Sequence, residues 1–562
     1  LNDHFTTVGA KLANSIQQPR VAFDSYMGDA VTQNFSFTRV SNLMVEKTIE
    51  ILKNKKTSGS DNISSILLKK CKNELTQPLA LIINQCFESG IFPSQLKLAR
   101  VKSLFKKGDK HDPNNYRPIS ILPAISKIFE KIMHKQLIEH FESNSLLFGS
   151  QYGFRQNHST ELASIELVDR LSMDMDRGDN PLSIFIDLSK AFDCIDHDIL
   201  LKKLHHYGLS GNSYLLMQNY LSNRKQYIEH DNIQSEFRNL TTGVPQGSIL
   251  GPLLFLIYMN DFSNSSNIFK MINYADDTAL LSTLRTSAPT SQDILNDELN
   301  KISTWLRCNK LHANASKTKA MIFHPRQKRV QQPQLLINET PIDFVDQFNY
   351  LGITLDKHLS MSAHIASVAA KISRVIGIMK KIKNFLPSFI LKLIYDSLIT
   401  CRIKYGLLVW GSSGDHIFKL QKKAICVVNK SKFNAHTEPL FKKFNILKLK
   451  DDQKLQELNF YYKFINNRLP QYFQTGYIVN NHDYHTYSTR MGQRLSIPQF
   501  RHEGFRRTLR YCIVNTVNSA SPCIINKIST HSFRGYSNYC KTKFLSNYSD
   551  QCLIPNCYIC AS

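Results

Sequence analysis

No stretch of this sequence stays apolar long enough to cross a bilayer. The longest run, Ile249 to Met259, covers eleven residues and is broken by Gly251 and Pro252, whereas a membrane helix needs about 20. A basic-then-apolar leader is also missing. The first residue is Leu1 rather than Met, so the chain reads as a fragment of a longer frame. Cysteine has no regular pattern: twelve are scattered along the chain, which fits a reduced intracellular compartment better than a disulfide framework. Internal repeats and low-complexity tracts are absent. Acidic residues are scarce, 45 Asp and Glu against 70 Lys and Arg over 562 residues, for a net charge of +25. A positive excess of that size points to a polyanion as partner, because each neutralised phosphate releases condensed counterions.

What is present reads as an ordinary globular chain, 42% apolar and 20% charged, long enough for two to four domains. Residues 1–57 read as helical pieces on a polar connector. Thr57-Ser58-Gly59-Ser60-Asp61 supplies loop chemistry and a helix cap before the apolar-periodic stretch Ile63 to Cys71. Helical spacing of apolar residues recurs over Ile125–Phe141 and Ile294–Leu306, and Ile249–Met259 reads as a core helix. Leu182–Ile186 is a short buried-strand candidate ending at Asp187. Ile268–Leu281 reads as two strands joined at Ala275-Asp276-Asp277-Thr278, a hairpin with acids at its tip. Strands alternating with longer helices make the middle of the chain α+β.

From 368 to 432 the composition shifts. Thirteen basic residues face only Asp396 and Asp415, so nearly half of the net charge sits in an eighth of the chain. Within this window Ile372, Val375, Ile376 and Met379 share one helical stripe, with Lys and Arg on the other face. That localisation favours a binding surface over uniform solubilisation.

Acids ending neighbouring strands are hard oxygen donors of the kind that hold a pair of Mg²⁺ ions. Side chains alternate along a strand, so Asp276 and Asp277 cannot both face one ion in regular geometry, and Asp276 is expected to be the stronger ligand. An acidic pair in a turn is by itself ordinary hairpin chemistry. Here it follows, in order, Ser183-Ile-Phe-Ile-Asp187-Leu-Ser-Lys-Ala-Phe192-Asp193 and Gly243-Val-Pro-Gln-Gly-Ser-Ile-Leu-Gly-Pro252, and ends as Tyr274-Ala-Asp-Asp277. Together these resemble the polymerase motifs of reverse transcriptases, in the wording of LINE-type (non-LTR) retrotransposons of the Jockey-like group. Phe105-Lys-Lys-Gly-Asp109, Asn115-Tyr-Arg-Pro-Ile-Ser120 and Gln151-Tyr-Gly-Phe-Arg155 extend the resemblance upstream. Asn314-Ala-Ser-Lys-Thr318 and Tyr350-Leu-Gly352 extend it downstream. It is strong over roughly 58–360 and looser beyond.

The resemblance implies a right-hand polymerase: fingers and palm over 58–360, a thumb-like basic helical region over 361–440, and a C-terminal region of unassigned fold over 441–562. It implies an RNA-directed DNA polymerase that extends a primer 3′-hydroxyl, or nicked target DNA, on an RNA template with dNTPs. Two Mg²⁺ ions, or Mn²⁺, would be held by Asp187 and Asp276, with Asp277 supporting and the Leu188 carbonyl nearby. Phe192 would sit under the incoming sugar and exclude a 2′-hydroxyl. Gln246 and Gly247, on a loop where Gly243 also permits close backbone approach, would position template and nascent pair. Lys102, Lys106, Lys107, Arg117 and Arg155 would meet the triphosphate, Arg117 foremost because guanidinium suits bidentate phosphate contacts. Ser103 stands where such sequences often carry proline, loosening a turn. Lys317 and Lys319 are both candidates for the acid that protonates pyrophosphate. Tyr350, Leu351 and Gly352 would form the primer grip.

Relatives of this kind usually carry an apurinic-type endonuclease ahead of the polymerase. Nothing here resembles one, and Leu1-Asn-Asp-His-Phe5 reads as the connector that follows it. By resemblance the protein would reside in nucleus and cytoplasm as a ribonucleoprotein. Cys552, Cys557 and Cys560 invite a zinc-knuckle reading, but a closed site needs a fourth ligand. None follows, and His531 and Cys540 lack motif spacing, so the cysteines read as unligated. The alternative function is a catalytically inactive retroelement remnant that binds RNA through its basic groove.

Overall fold

A computed structural model describes residues 1–17, 19–230, 233–284, 292–432, 434–483 and 494–551. Its centre is an antiparallel-rich sheet in which β3 (Asn180–Ile186) is the middle strand. On one side β3 pairs antiparallel with β6 (Asp277–Leu284), which pairs in turn with β5 (Lys270–Tyr274). On the other side it pairs antiparallel with β7 (Lys319–Ile322), and β8 (Asp343–Phe344) closes that edge in parallel. Both the strand expected at 182–186 and the hairpin expected at 268–281 form.

The sheet is buried on both faces, and strand alternation divides its side chains between two cores. Leu182, Ile184, Ile186, Leu280, Ala320 and Ile322 face one core. Against it pack α2 (Ala124–Ser143), α4 (Leu250–Tyr258) and α5 (Gln292–Cys308), close to the helices expected from apolar spacing. Phe185, Ala279, Leu281 and Met321 face the other core. There they meet α3 (Thr160–Asp176) and the C-terminal helices α6 (Ser362–Ile382), α8 (Asp415–Val428), α9 (Leu449–Ile465) and α10 (Leu509–Ser519). The helices after residue 360 therefore complete the hydrophobic packing of the central sheet.

A second sheet carries β1 (Leu98–Phe105) between antiparallel β2 (Tyr116–Ile121) and parallel β4 (Arg224–His230). The N-terminal helix α1 (Asn2–Asn14) is built onto it: Phe5 shares a small core with Val101 and Ile228, and the Asn2 amide donates to the Gln226 and Glu236 carbonyls. Val45 and Ile49 are fully buried as well, so residues 1–57 are packed against the rest of the chain. Two local expectations are corrected. The helix Ser65–Lys70 is capped by Ser64, whose hydroxyl accepts from Leu67 N, and not by the 57–61 cluster. Ser103 lies within β1 opposite Pro118 and not in a turn, so no turn is loosened there.

One buried link joins the chain's two halves. Tyr477 donates its hydroxyl to Asp169 of α3, with Arg510 nearby. Burial pushes the Asp169 carboxyl up to about 7, partly opposed by Tyr477 and Arg510. The folded protein then retains a proton that the unfolded chain loses near pH 3.9, so stability falls as pH rises from about 4 to about 7. Asp169→Asn, which imitates the protonated acid, is expected to stabilise by about 2 kcal/mol at pH 8 and by little at pH 4.5. Thermal melts at the two pH values check this; equal differences at both would reject it.

Among the described residues no helix is long and apolar enough to cross a membrane. Cys552, Cys557 and Cys560 lie outside the described residues. Cys540 is buried, and its thiol is pushed up to about 11 by desolvation, which does not suit a zinc ligand.

Candidate active site

At one end of the central sheet β3 stops at Ile186, paired with Thr278, and the Tyr274–Asp277 pair closes the β5–β6 hairpin. Continuing that register sets Asp187 beside Asp277, with Asp276 in the turn. Ala275 takes a positive φ of 57° there, a backbone conformation uncommon outside glycine. Gln151 holds the turn: its side-chain oxygen accepts from Ala275 N at 3.0 Å and from Gly153 N at 2.9 Å. A Cβ on Gly153 would stand 2.4 Å from Ala275 N, so glycine is required. The Gln151 loop is itself anchored to α3, where Glu166 accepts from Tyr152, Ser150 and Arg170.

The three acids feel one another. Desolvation raises Asp276, and Asp187 adds repulsion, while Arg117 and Lys106 oppose the shift. Asp277 is pushed up to about 6 by desolvation and by repulsion from Asp276 and Asp187. The repulsion that raises Asp276 and Asp277 is relieved by a cation. Their oxygens are the donors Mg²⁺ prefers, with water and substrate phosphates completing its shell. Among the described residues no three His, Cys, Asp or Glu side chains converge tightly enough to enclose a metal unaided. Asp187 instead pairs with Lys317 Nζ at 3.3 Å.

Across from the acids stands a polar relay. Arg117 Nε donates to Gln246 Oε1 at 3.1 Å, and Gln246 Nε2 donates to Asp193 Oδ1 at 2.8 Å. The Gln246 carbonyl accepts from Ser120 N at 2.9 Å. Gly247, at φ 134°, is needed for that approach, because a Cβ would lie 2.4 Å from the Ser120 carbonyl oxygen. Phe192 is half-buried and stacks on Phe255, with centroids 4.3 Å apart and planes 17° apart.

The other expected site residues divide. Lys317 reaches Asp187, whereas Lys319 pairs with Asp343 at 2.7 Å along the β7–β8 edge. Lys102, Lys106 and Lys107 are exposed, and of these Lys106 acts on Asp276 and Asp193. Arg155 is engaged within the chain: it binds Glu142 through two nitrogens and donates a third hydrogen bond to the Phe148 carbonyl. Its guanidinium holds a loop to α2. Leu351 and Gly352 form the tight turn between Gln347–Tyr350 and Ile353–Asp356, with φ 46° and 83°. Tyr350 is buried against Phe185, and Tyr405 donates its hydroxyl to the Leu351 carbonyl.

Sequence reasoning did not single out Gln151, Asp193 or Asn314, whose hydrogen bonds tie the site's segments together. Each stands inside a motif named above, but its partner lies far along the chain. Asn314 N, for example, donates to the Asp187 carbonyl at 2.7 Å.

This acid-tipped hairpin beside a second acid-ended strand defines a class of protein. Residues 106–355 match the family described as Reverse transcriptase (RNA-dependent DNA polymerase), and they form a reverse transcriptase domain within a mixed α+β chain. The chain is 28% identical over 421 residues to the probable RNA-directed DNA polymerase from transposon X-element of Drosophila melanogaster, covering 73% of this chain and 46% of that protein. It is 27% identical over 451 residues to the RNA-directed DNA polymerase from mobile element jockey of the same species, covering 77% and 48%. The chain is thus similar to non-LTR retrotransposon reverse transcriptases of the jockey and X-element kind. It spans about half the length of these curated relatives.

Proposed function

We propose that the chain is an RNA-directed DNA polymerase that extends a primer 3′-hydroxyl on an RNA template with dNTPs, arranged as fingers, palm and thumb. One observation carries this reading: Asp187, Asp276 and Asp277 gather at one end of the central sheet, within electrostatic reach of Arg117 and Lys106. Asp187 and Asp276 would hold two divalent ions, Mg²⁺ or Mn²⁺, with Asp277 beside them. Bound there, the ions make the primer hydroxyl more acidic and neutralise charge on the departing pyrophosphate.

The chain's own residues supply the rest. Arg117 and Lys106 receive triphosphate oxygens, and Gln246 orients the incoming nucleotide. Phe192 lies under its sugar. Lys317, already at Asp187, is the better placed proton donor to pyrophosphate, since Lys319 is engaged with Asp343. Leu351 and Gly352 support the primer end. Primer extension on an RNA template with dNTPs and Mg²⁺ tests the proposal: labelled product supports it, and its absence from folded, template-binding protein rejects it.

The thumb assignment rests on α6 and the helix after it, α7 (Ser388–Tyr395). Ile372, Val375, Ile376 and Met379 are buried as expected, and Lys371, Arg374, Lys380, Lys381 and Lys383 make no ion pair among the described residues. Phe385 and Phe389, 84% and 70% exposed, stand beside these cations, a combination suited to nucleobases and phosphates. Replacing Lys380, Lys381 and Lys383 by Gln is expected to lower the slope of log K against log salt by about 2 to 3. Filter binding over a salt series measures it, and an unchanged slope would move the grip elsewhere.

A further inference from the structure

Asp193 has no assigned part in the chemistry above, yet its surroundings are built with unusual care. Its backbone is enclosed by elements distant in sequence. A Cβ on Gly9 of α1 would stand 1.9 Å from the Asp193 carbonyl oxygen, and one on Gly243 would stand 2.9 Å from its Cα. Two glycines thus close on one residue. Thr242 Oγ1 also donates to the Asp193 carbonyl at 3.2 Å. The side chain is held as firmly: Oδ1 accepts from Gln246 Nε2 at 2.8 Å, while Oδ2 is buried with no hydrogen-bond partner. A buried, half-satisfied carboxylate costs stability, so a structural role alone explains it poorly.

Donor chemistry explains it better. A guanidinium can only donate and an ionised carboxylate can only accept. Gln246 stands between one of each, and only one orientation of its amide satisfies both: Nε2 toward Asp193 and Oε1 toward Arg117. Without Asp193 the amide is free to turn, and its NH₂ would then oppose the Arg117 N–H. In the relay Arg117 spends only Nε, leaving Nη1 and Nη2 without hydrogen bonds among the described residues. Those two nitrogens are the fork suited to phosphate.

We propose that Asp193 is a positioning residue for the incoming nucleotide: by accepting the Gln246 amide N–H it fixes the orientation of that amide, and through it holds the Arg117 fork open toward the triphosphate. This rests on the polymerase reading above. It touches no substrate itself, and α1 and the Gly243 turn serve as its backing.

The test is steady-state primer extension on an RNA template, with template–primer affinity measured separately. Wild-type synthesis that disappears in Asp276→Ala establishes the underlying reading before the relay is examined. Asp193→Ala is then expected to raise the KM for dNTPs about tenfold, with template–primer affinity unchanged. In a Gln246→Met background, where the relay is already cut, Asp193→Ala is expected to add no further rise. Asp193→Asn keeps an acceptor oxygen and the side-chain volume, and is expected to stay within about threefold of wild type. It also serves as the informative variant should the alanine form fail to fold. An unchanged dNTP KM in Asp193→Ala, an equal further rise in the Gln246→Met background, or an Asp193→Asn protein as impaired as the alanine form would each overturn the assignment.

Discussion

Asp276→Ala is expected to lower primer extension by roughly a thousandfold or more, while the protein melts as the wild type does and binds template–primer at least as tightly. Asp276 occupies a turn, and its carboxyl is raised by desolvation and by Asp187. Its removal takes repulsion from the fold, not packing. It also lowers the negative charge facing a polyanion, so binding is not expected to weaken. Asp277, held up to about 6 partly by Asp276, should titrate lower in the variant. Catalysis is expected to fail because the site loses one of the two acids that would hold the ions, and Asp277 begins a strand and does not occupy the turn. Asp276→Asn, nearly isosteric, should be as inactive. Product from either variant at the wild-type rate would mean that the acids do not carry the reaction. A wild type that binds RNA and makes no product would favour the RNA-binding remnant.

Much of the central sheet was legible because strand ends and hairpin turns have local signatures. The apolar run 182–186 stopping at an acid and the paired runs around Ala275 both became strands in their expected places. The stripe of α6 was equally plain, since helical spacing declares its buried face. The pairing of Arg155 with Glu142, thirteen positions earlier, was not legible, because charge type alone does not tell a phosphate ligand from a residue in an ion pair. Lys317 and Lys319 were indistinguishable on paper. Their separation depends on a strand edge, with Lys319 paired along it to Asp343 and Lys317 just ahead of it at Asp187. The helix at 2–14 read as part of a connector because its partners, Val101 and Ile228 against Phe5 and the Gln226 and Glu236 carbonyls at Asn2, lie far along the chain. Gly9 admits the Asp193 carbonyl oxygen at 1.9 Å from where a Cβ would be, and no local pattern marks such a contact. Likewise, the sheet's two cores draw on helices from both halves of the chain. Alternation within Leu182–Ile186 shows that both faces are apolar, but not which distant helix covers each.

Phe192→Val is expected to raise ribonucleotide incorporation relative to deoxyribonucleotide by about a hundredfold, with deoxynucleotide synthesis retained. A steric gate must be rigid as well as bulky, because a ring that swings aside excludes nothing. Phe192 meets that condition. Its ring stacks on Phe255, which is fully buried, and Phe154 stands edge-on at 6.2 Å. Its carbonyl accepts from Val244 N at 3.1 Å, tying it to the Gly243–Gly247 loop that carries Gln246. Valine keeps a branched apolar surface against Phe255 but withdraws most of the ring, opening room for a 2′-hydroxyl. The lost stacking should destabilise by about 1–2 kcal/mol, because Phe192 is only half-buried, so the variant should remain folded. Discrimination is read as the ratio of kcat/KM for a dNTP and its matching rNTP on one template. A ratio equal to wild type in a folded protein would make Phe192 a core aromatic and leave sugar selection to another residue. A hundredfold shift without loss of dNTP synthesis would place the 2′ position of the incoming sugar over the Phe192–Phe255 stack, on the same side of the cleft as the Gln246 relay.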